Sequence, residues 1–230
     1  MRLLLVGSEY AGARTLARAL IEWSRETMDA FAGVPDEYLI HDHFLMPKIS
    51  HPPELTDEEH EQILRLSPRV KEMIQRHNIL YHIPFTTSGA DSMIIGLHIE
   101  DNVYGPLYFD YLADLDPDDP IMDTRNLFET WINQFAPETV LVLVKASPDA
   151  IRNRMAERPH KAGVVQRGDI EFVLRRFEEE FQRSALLNKL VIDTTDATVE
   201  ETVVEFARRI GPFLTDRDRE RMDSIDTDSG

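Results

Sequence analysis

The residues Gly7-Ser8-Glu9-Tyr10-Ala11-Gly12-Ala13-Arg14-Thr15 have the spacing of a phosphate-binding loop. Glycines let backbone N–H groups curl around a phosphate, and a following helix points its positive end at the anion. A threonine at the helix start, Thr15, is suited to holding Mg²⁺. The full pattern places a lysine where this chain has Ala13. Arg14 is the neighbouring cation, displaced by about 100° around the helix, and arginine is not equivalent to lysine at such sites. The competing reading is a plain strand-to-helix turn with glycines for tightness.

Three further groupings carry chemistry. In His41-Asp42-His43, the Asp42 carboxylate can accept a hydroxyl proton or bind hydrated Mg²⁺. The alternation also suggests a transition-metal site, and with it a hydrolase or metal protein. On a strand His41 and His43 share one face and Asp42 has the other, which disfavours three-way ligation. An exposed polar turn is the third reading. Glu100-Asp101 is a paired carboxylate, able to act as general base or to hold Mg²⁺ through water, with one pKa raised by its neighbour. A solvated acidic loop is the alternative. Arg152, Arg154, Arg158, Lys161 and Arg167 surround one loop, and Arg154 and Arg158 share a helix face. They can neutralise negative charge, or pair ordinarily, as Arg154 with Glu157.

These groups need elements to position them. Leu3 to Val6 reads as a buried parallel strand. Leu16, Ala17, Leu20 and Trp23 then recur at helical spacing. Tyr38-Leu39-Ile40 is a second strand, ending in the His-Asp-His group. Thr56 to Glu59 is a capping box, and Ser67-Pro68 opens a further helix. Met93 to Ile99 reads as a third strand, ending at Glu100-Asp101. Leu127, Phe128, Trp131, Ile132 and Phe135 make a helical stripe. Residues 139–145 are the clearest strand, and Ser147-Pro148 starts the helix that carries Arg154 and Arg158. A long charged helix over about 169–187, a short strand at Leu190-Val191-Ile192 and a capped helix from Thr198 follow. Tyr104, Tyr108 and Tyr111 can line a base pocket or pack in the core.

Strands alternating with helices imply an α/β fold, a parallel sheet of about five strands covered on both faces in three layers. The domain expected is 1–214, with a helical covering insertion at 45–90 and a lid-like segment at 152–168. Residues 215–230 read as an acidic, disordered tail.

The chain has 230 residues, 42 Asp+Glu against 25 Lys+Arg, and a formal charge of −17. That balance argues against a bulk nucleic-acid binder. The absence of cysteine removes thiol catalysis and Cys-based zinc sites, and fits a reducing, cytoplasmic setting. No apolar run approaches the ~20 residues a membrane span needs. The charge is uneven. Residues 94–138 hold ten acids and one base, whereas 145–183 hold nine Lys/Arg and seven Asp/Glu. A small anionic ligand therefore remains compatible with an acidic chain.

The Gly7–Thr15 stretch resembles the loop of P-loop nucleoside and nucleoside-monophosphate kinases, among them thymidylate and deoxynucleoside kinases. The likeness extends through residues 141–148 with Arg154 and Arg158, through Ile99 to Tyr104, where Asp101 replaces an expected arginine, and through Val191 to Thr195. It implies a P-loop fold, ATP and Mg²⁺ as cofactors, and a nucleoside, nucleotide or similar small acceptor, with a homodimer left open. It implies that residues 7–15 cradle the phosphates, that Thr15, Asp42 and Asp101 serve the metal, and that Asp42, Glu100 and Asp101 serve the acceptor. Arg14, Arg154, Arg158 and Arg167 would neutralise the transferred group. A P-loop module that binds nucleotide without phosphoryl transfer is the alternative, on the strength of Ala13.

Overall fold

The computed structural model describes residues 1–34, 39–42, 55–83, 91–111, 124–160 and 163–228. Short apolar runs give the strands β1 (Arg2–Val6), β2 (Ile40–Asp42), β3 (Ser92–Ile95), β4 (Val140–Lys145) and β5 (Asn188–Asp193). All are parallel, in the order β2-β3-β1-β4-β5. Leu3 pairs with Met93 on one side and Val140 on the other. The central strands have no polar face because helices cover both sides, so their sequences run apolar rather than alternate. Leu3, Leu5, Leu141 and Val142 are fully buried.

Helix α1 (Ala13–Met28) buries Leu16, Leu20, Ser24 and Met28, four residues apart on one stripe. The other helices are α2 (Asp57–Leu64), α3 (Pro68–His82), α4 (Leu97–Tyr108), α5 (Thr124–Phe135), α6 (Pro148–Glu157), α7 (Ile170–Arg183), α8 (Val199–Ile210) and α9 (Asp216–Asp228). Helices α8 and α9 pack on α1, and Trp23 meets Phe206 edge-on with centroids 5.7 Å apart. Helix α7 packs on α4, where Tyr104 meets Phe177 edge-on at 5.4 Å. The capping boxes at Thr56–Glu59 and Thr198–Glu201 form as the sequence predicts. Within the expected insertion, residues 45–54 and 84–90 lie outside the described residues. The described remainder supplies α2 and α3.

Two expectations are corrected. The third strand stops at Ile95 instead of running to Ile99. Gly96 (φ 85°) and Leu97 (φ 50°) turn the chain in left-handed geometry and start α4. An apolar run of this length suits strand and buried helix equally, so periodicity alone misses the boundary. Residues 216–228 are not a disordered tail but helix α9. Thr215 caps it: its hydroxyl and N–H donate to Asp218 Oδ2 at 2.8 and 3.1 Å, and Asp218 N–H donates back at 3.2 Å. Arg221 then grips both oxygens of Asp91, at 2.9 and 3.0 Å, and Asp218 at 2.6 Å. The charges that read as a solvated tail are ion-pair partners, one of them 130 residues away in sequence.

Candidate functional site

The loop after β1 leaves the centre of the sheet at its carboxyl edge, where open parallel sheets place ligands. It is drawn tight against β4. A Cβ on Gly7 would lie 2.4 Å from the Val144 carbonyl oxygen, so only glycine fits. Ala11 N–H donates to Ser8 O at 3.0 Å, and Gly12 (φ 97°) turns the chain into α1. No side-chain cap hydrogen bond forms at Gly12, and the first turn of α1 lines the cavity, where its N–H groups favour an anion.

That cavity has a volume of about 670 Å³. Residues 7–10 and 12–16 form its floor, and Ile95 and Glu100 one wall. Arg154, Glu157, Arg158 and His160 form the opposite wall, and Thr194, Ala197 and Val199 close the side. The structure thus brings Gly7, Ser8, Glu9, Tyr10, Gly12, Ala13, Arg14, Thr15, Glu100, Arg154 and Arg158 together, as the sequence suggests. Ala11 stands behind them, fully buried, its carbonyl accepting from Thr194 Oγ1 at 2.7 Å.

Other expected residues fall elsewhere. Asp101 points away from the cavity. Its carboxyl takes a hydrogen bond from the Tyr111 hydroxyl, and it is absent from the lining. Burial pushes its pKa up to about 7, and the Glu72 carboxylate adds to this against Tyr111 and Arg76. A carboxyl enclosed in this way does not face a metal held beside the loop. Arg167 is exposed and also absent from the lining. Asp42 ends β2, but its side chain, with His41 and His43, lies outside the described part of the structure. Among the described residues no three His, Asp or Glu side chains gather as metal ligands.

Arg154 lines the cavity and also makes hydrogen bonds within the chain. Its Nη1 donates to Tyr10 O at 3.0 Å and to Thr194 Oγ1 at 3.1 Å, and its Nη2 donates to Thr194 O. In this state it ties the loop to the end of β5. Among the described residues, Arg14 and Arg158 are the other arginines lining the cavity. The lining also includes, among the described residues, three acidic ones, Glu9, Glu100 and Glu157.

Glu9 is the residue whose part the sequence hid. It is buried within the loop, and its Oε2 accepts from Val164 N and Val165 N at 3.0 and 2.8 Å. Its own N–H donates to the Tyr104 hydroxyl at 3.0 Å. Burial raises its pKa, against the Val165 N–H and the His160 ring. Tyr104 is raised too, by burial and then by Glu100. No sequence signal marks Val164 and Val165, since they contribute backbone N–H groups only.

No protein-family model matches this chain, and no curated protein matches it in sequence. Solved structures do match in shape. The YorR protein of Bacillus subtilis, determined in complex with phosphorylated GDP, superposes with a TM-score of 0.56 at 16% identity, over 93% of this chain and 99% of that one. The deoxyadenosine kinase of M. mycoides, determined with bound dATP, gives 0.55 at 14% identity, over 92% and 100%. The same kinase with dCMP and dCDP gives 0.53 at 14% identity, over 93% and 100%. Loop, sheet order and these likenesses agree: the fold is that of the P-loop nucleoside and nucleotide kinases.

Proposed function

We propose that this chain is an ATP-dependent phosphotransferase acting on a nucleoside, a nucleotide or a similar small acceptor. The observation that carries the reading is the convergence of Arg14, Arg158 and Glu100 on one cavity with the loop and the uncapped start of α1. The loop N–H groups and the helix end receive phosphate oxygens. Arg14 supplies the cation that position 13 lacks, and Arg158 adds a second from the facing wall. In this reading Glu100, in the first turn of α4, accepts a proton from an acceptor hydroxyl. Asp101 and Arg167 have no direct part in this reading.

The lining suits a Mg²⁺ that arrives with its phosphates. Of the oxygen-bearing residues in the lining, this reading assigns Thr15 and Glu100 to the ion, and Mg²⁺ ordinarily needs only one or two protein ligands beside phosphate and water. When bound, the ion neutralises charge on the phosphate oxygens.

A second reading is supported by Ala13 and by the three hydrogen bonds that engage Arg154. In it the chain binds a nucleotide and performs no transfer. Removing one positioned electrostatic partner of a transition state costs about 3–4 kcal/mol. Calorimetric titration with Mg·ATP and turnover assays over a nucleoside and nucleotide panel separate the two. Transfer that Arg14→Ala abolishes supports the kinase. Binding without transfer, converted to transfer by Ala13→Lys, supports the second reading. No binding of any nucleotide overturns both.

A further inference from the structure

The loop after β1 and the segment after α6 hold each other through side chains. The Glu9 side chain has 0% exposure, and its Oε2 takes the consecutive N–H groups of Val164 and Val165. Successive backbone N–H groups of this kind form an anion-binding concavity, and here a carboxylate from the loop itself fills it. The other oxygen, Oε1, lies 3.5 Å from His160 Nδ1. The His160 ring lies flat on Tyr10, with centroids 4.1 Å apart and planes 18° apart. The Tyr10 hydroxyl accepts from His160 N–H at 2.9 Å. Tyr10 makes these contacts from φ 64°, a backbone region costly for an aromatic residue and retained only where its surroundings hold it. Gly163 completes the packing, because a Cβ there would approach Glu9 Oε1 and the Tyr10 hydroxyl at 3.3 Å each.

His160 lines the cavity with Arg154, Glu157 and Arg158. The held segment therefore meets the cavity at His160, while residues 163–165 stand behind that wall against Glu9. We propose that Glu9, Tyr10 and His160 form a latch that keeps residues 160 and 163–165 on the loop before any ligand arrives, so that a ligand enters when the latch releases. Glu9 gives the lid backbone the negative partner that an arriving anion would otherwise supply. The latch stands on the contacts within the chain. Only the identity of the entering ligand rests on the nucleotide reading above.

Hydrogen–deuterium exchange of the full chain, without ligand, tests the latch directly. His160 is 49% exposed on its side chain, so His160→Ala removes the stack and the Glu9 partner without opening the core. Glu9→Gln removes the charge and keeps the shape. Peptides covering 163–168 are expected to exchange about tenfold faster in both variants, with β4 peptides unchanged. Equal exchange in wild type and His160→Ala overturns the latch, whatever Glu9→Gln does to folding. Stopped-flow mixing with a fluorescent ATP analogue and Mg²⁺ reads the gate. The wild-type rate is expected to level off at high nucleotide, with a plateau about tenfold higher in His160→Ala. Rates that rise linearly and identically in both proteins overturn the gating. If the analogue binds neither protein, the nucleotide reading falls, and the exchange result alone decides the latch.

Discussion

Arg154 on α6 donates to Thr194 Oγ1 at 3.1 Å, and Thr194 Oγ1 donates in turn to Ala11 O at 2.7 Å. An arginine of α6, the exit of β5 and the loop after β1 are thus one hydrogen-bonded chain. Arg154→Ala strips Tyr10 O and Thr194 of charge-assisted partners, each worth about 1.5–3 kcal/mol. Urea denaturation is expected to show a loss of about 2 kcal/mol. Thr194→Val should cost less, and the double variant should fall short of the sum, since both act on one network.

Asp101 gives the fold an unusual pH dependence. Its carboxyl titrates near 7 in the folded chain against 3.8 ordinarily, because burial favours the neutral acid. Between about pH 4 and 7 the unfolded chain releases this proton while the folded chain keeps it, so stability falls as pH rises through that window. The difference corresponds to about 4 kcal/mol above neutrality. Asn keeps an acceptor for the Tyr111 hydroxyl and carries no charge. Asp101→Asn should therefore match wild type at pH 4 and unfold at a higher temperature at pH 8. An unchanged melting profile at pH 8 would show that the carboxyl is already relieved in the native state.

Asp91 acts with the opposite sign. Burial would raise its carboxyl, but Arg221, the Met1 amino group and the Phe31 N–H outweigh it and hold it well below the usual range. Its contribution is present above the unfolded pKa and is lost as pH falls. Arg221→Ala should cost about 2–4 kcal/mol at pH 7 and flatten the acid limb of the stability curve. Chemical denaturation at pH 7 and pH 3 measures both effects.

Two glycines should differ in their tolerance of alanine. At Gly7 the new methyl meets the Val144 carbonyl oxygen at 2.4 Å, a backbone atom of the central sheet. Gly7→Ala should destabilise by about 3 kcal/mol or more, with low soluble yield. At Gly96 the obstacle is Glu100 Oε2 at 2.5 Å, the end of a side chain that can turn. Left-handed geometry there costs about 1–3 kcal/mol. Gly96→Ala should fold and move Glu100, lowering any transfer activity more than nucleotide affinity. Melting temperatures and the ratio of kcat to KM effects distinguish the two outcomes.

Much of the architecture is legible in local sequence. Capping pairs such as Ser147 with Ala150, Thr56 with Glu59 and Thr198 with Glu201 are written within four residues. The cavity floor is legible for the same reason, since the loop is one contiguous stretch. What escapes is set by distant partners. Arg221 looks solvated until Asp91 is brought beside it. The partners of Arg154, Tyr10 O and Thr194 O, lie 144 and 40 residues away and are not visible in its own stretch of sequence. Asp101 reads with Glu100 as a pair, but one helical step, about 100°, turns it from the cavity to Tyr111.

The placement of β1 has a consequence for how the molecule assembles. The strand that delivers the loop is flanked by β3 and β4, and Leu3 meets Met93 and Val140. Both partners come from far along the chain. The loop therefore precedes both partner strands in the chain and acquires its shape only once both are in place. It waits for β4 to clamp Gly7, and then for Thr194 at the end of β5 to hold Ala11. Pairings of such long sequence separation slow folding, because loop closure must be met before any contact rewards it. The loop end of the sheet is thus expected to be a late event in refolding, appearing with the final rise in protection of β4 and β5 rather than with the early helices.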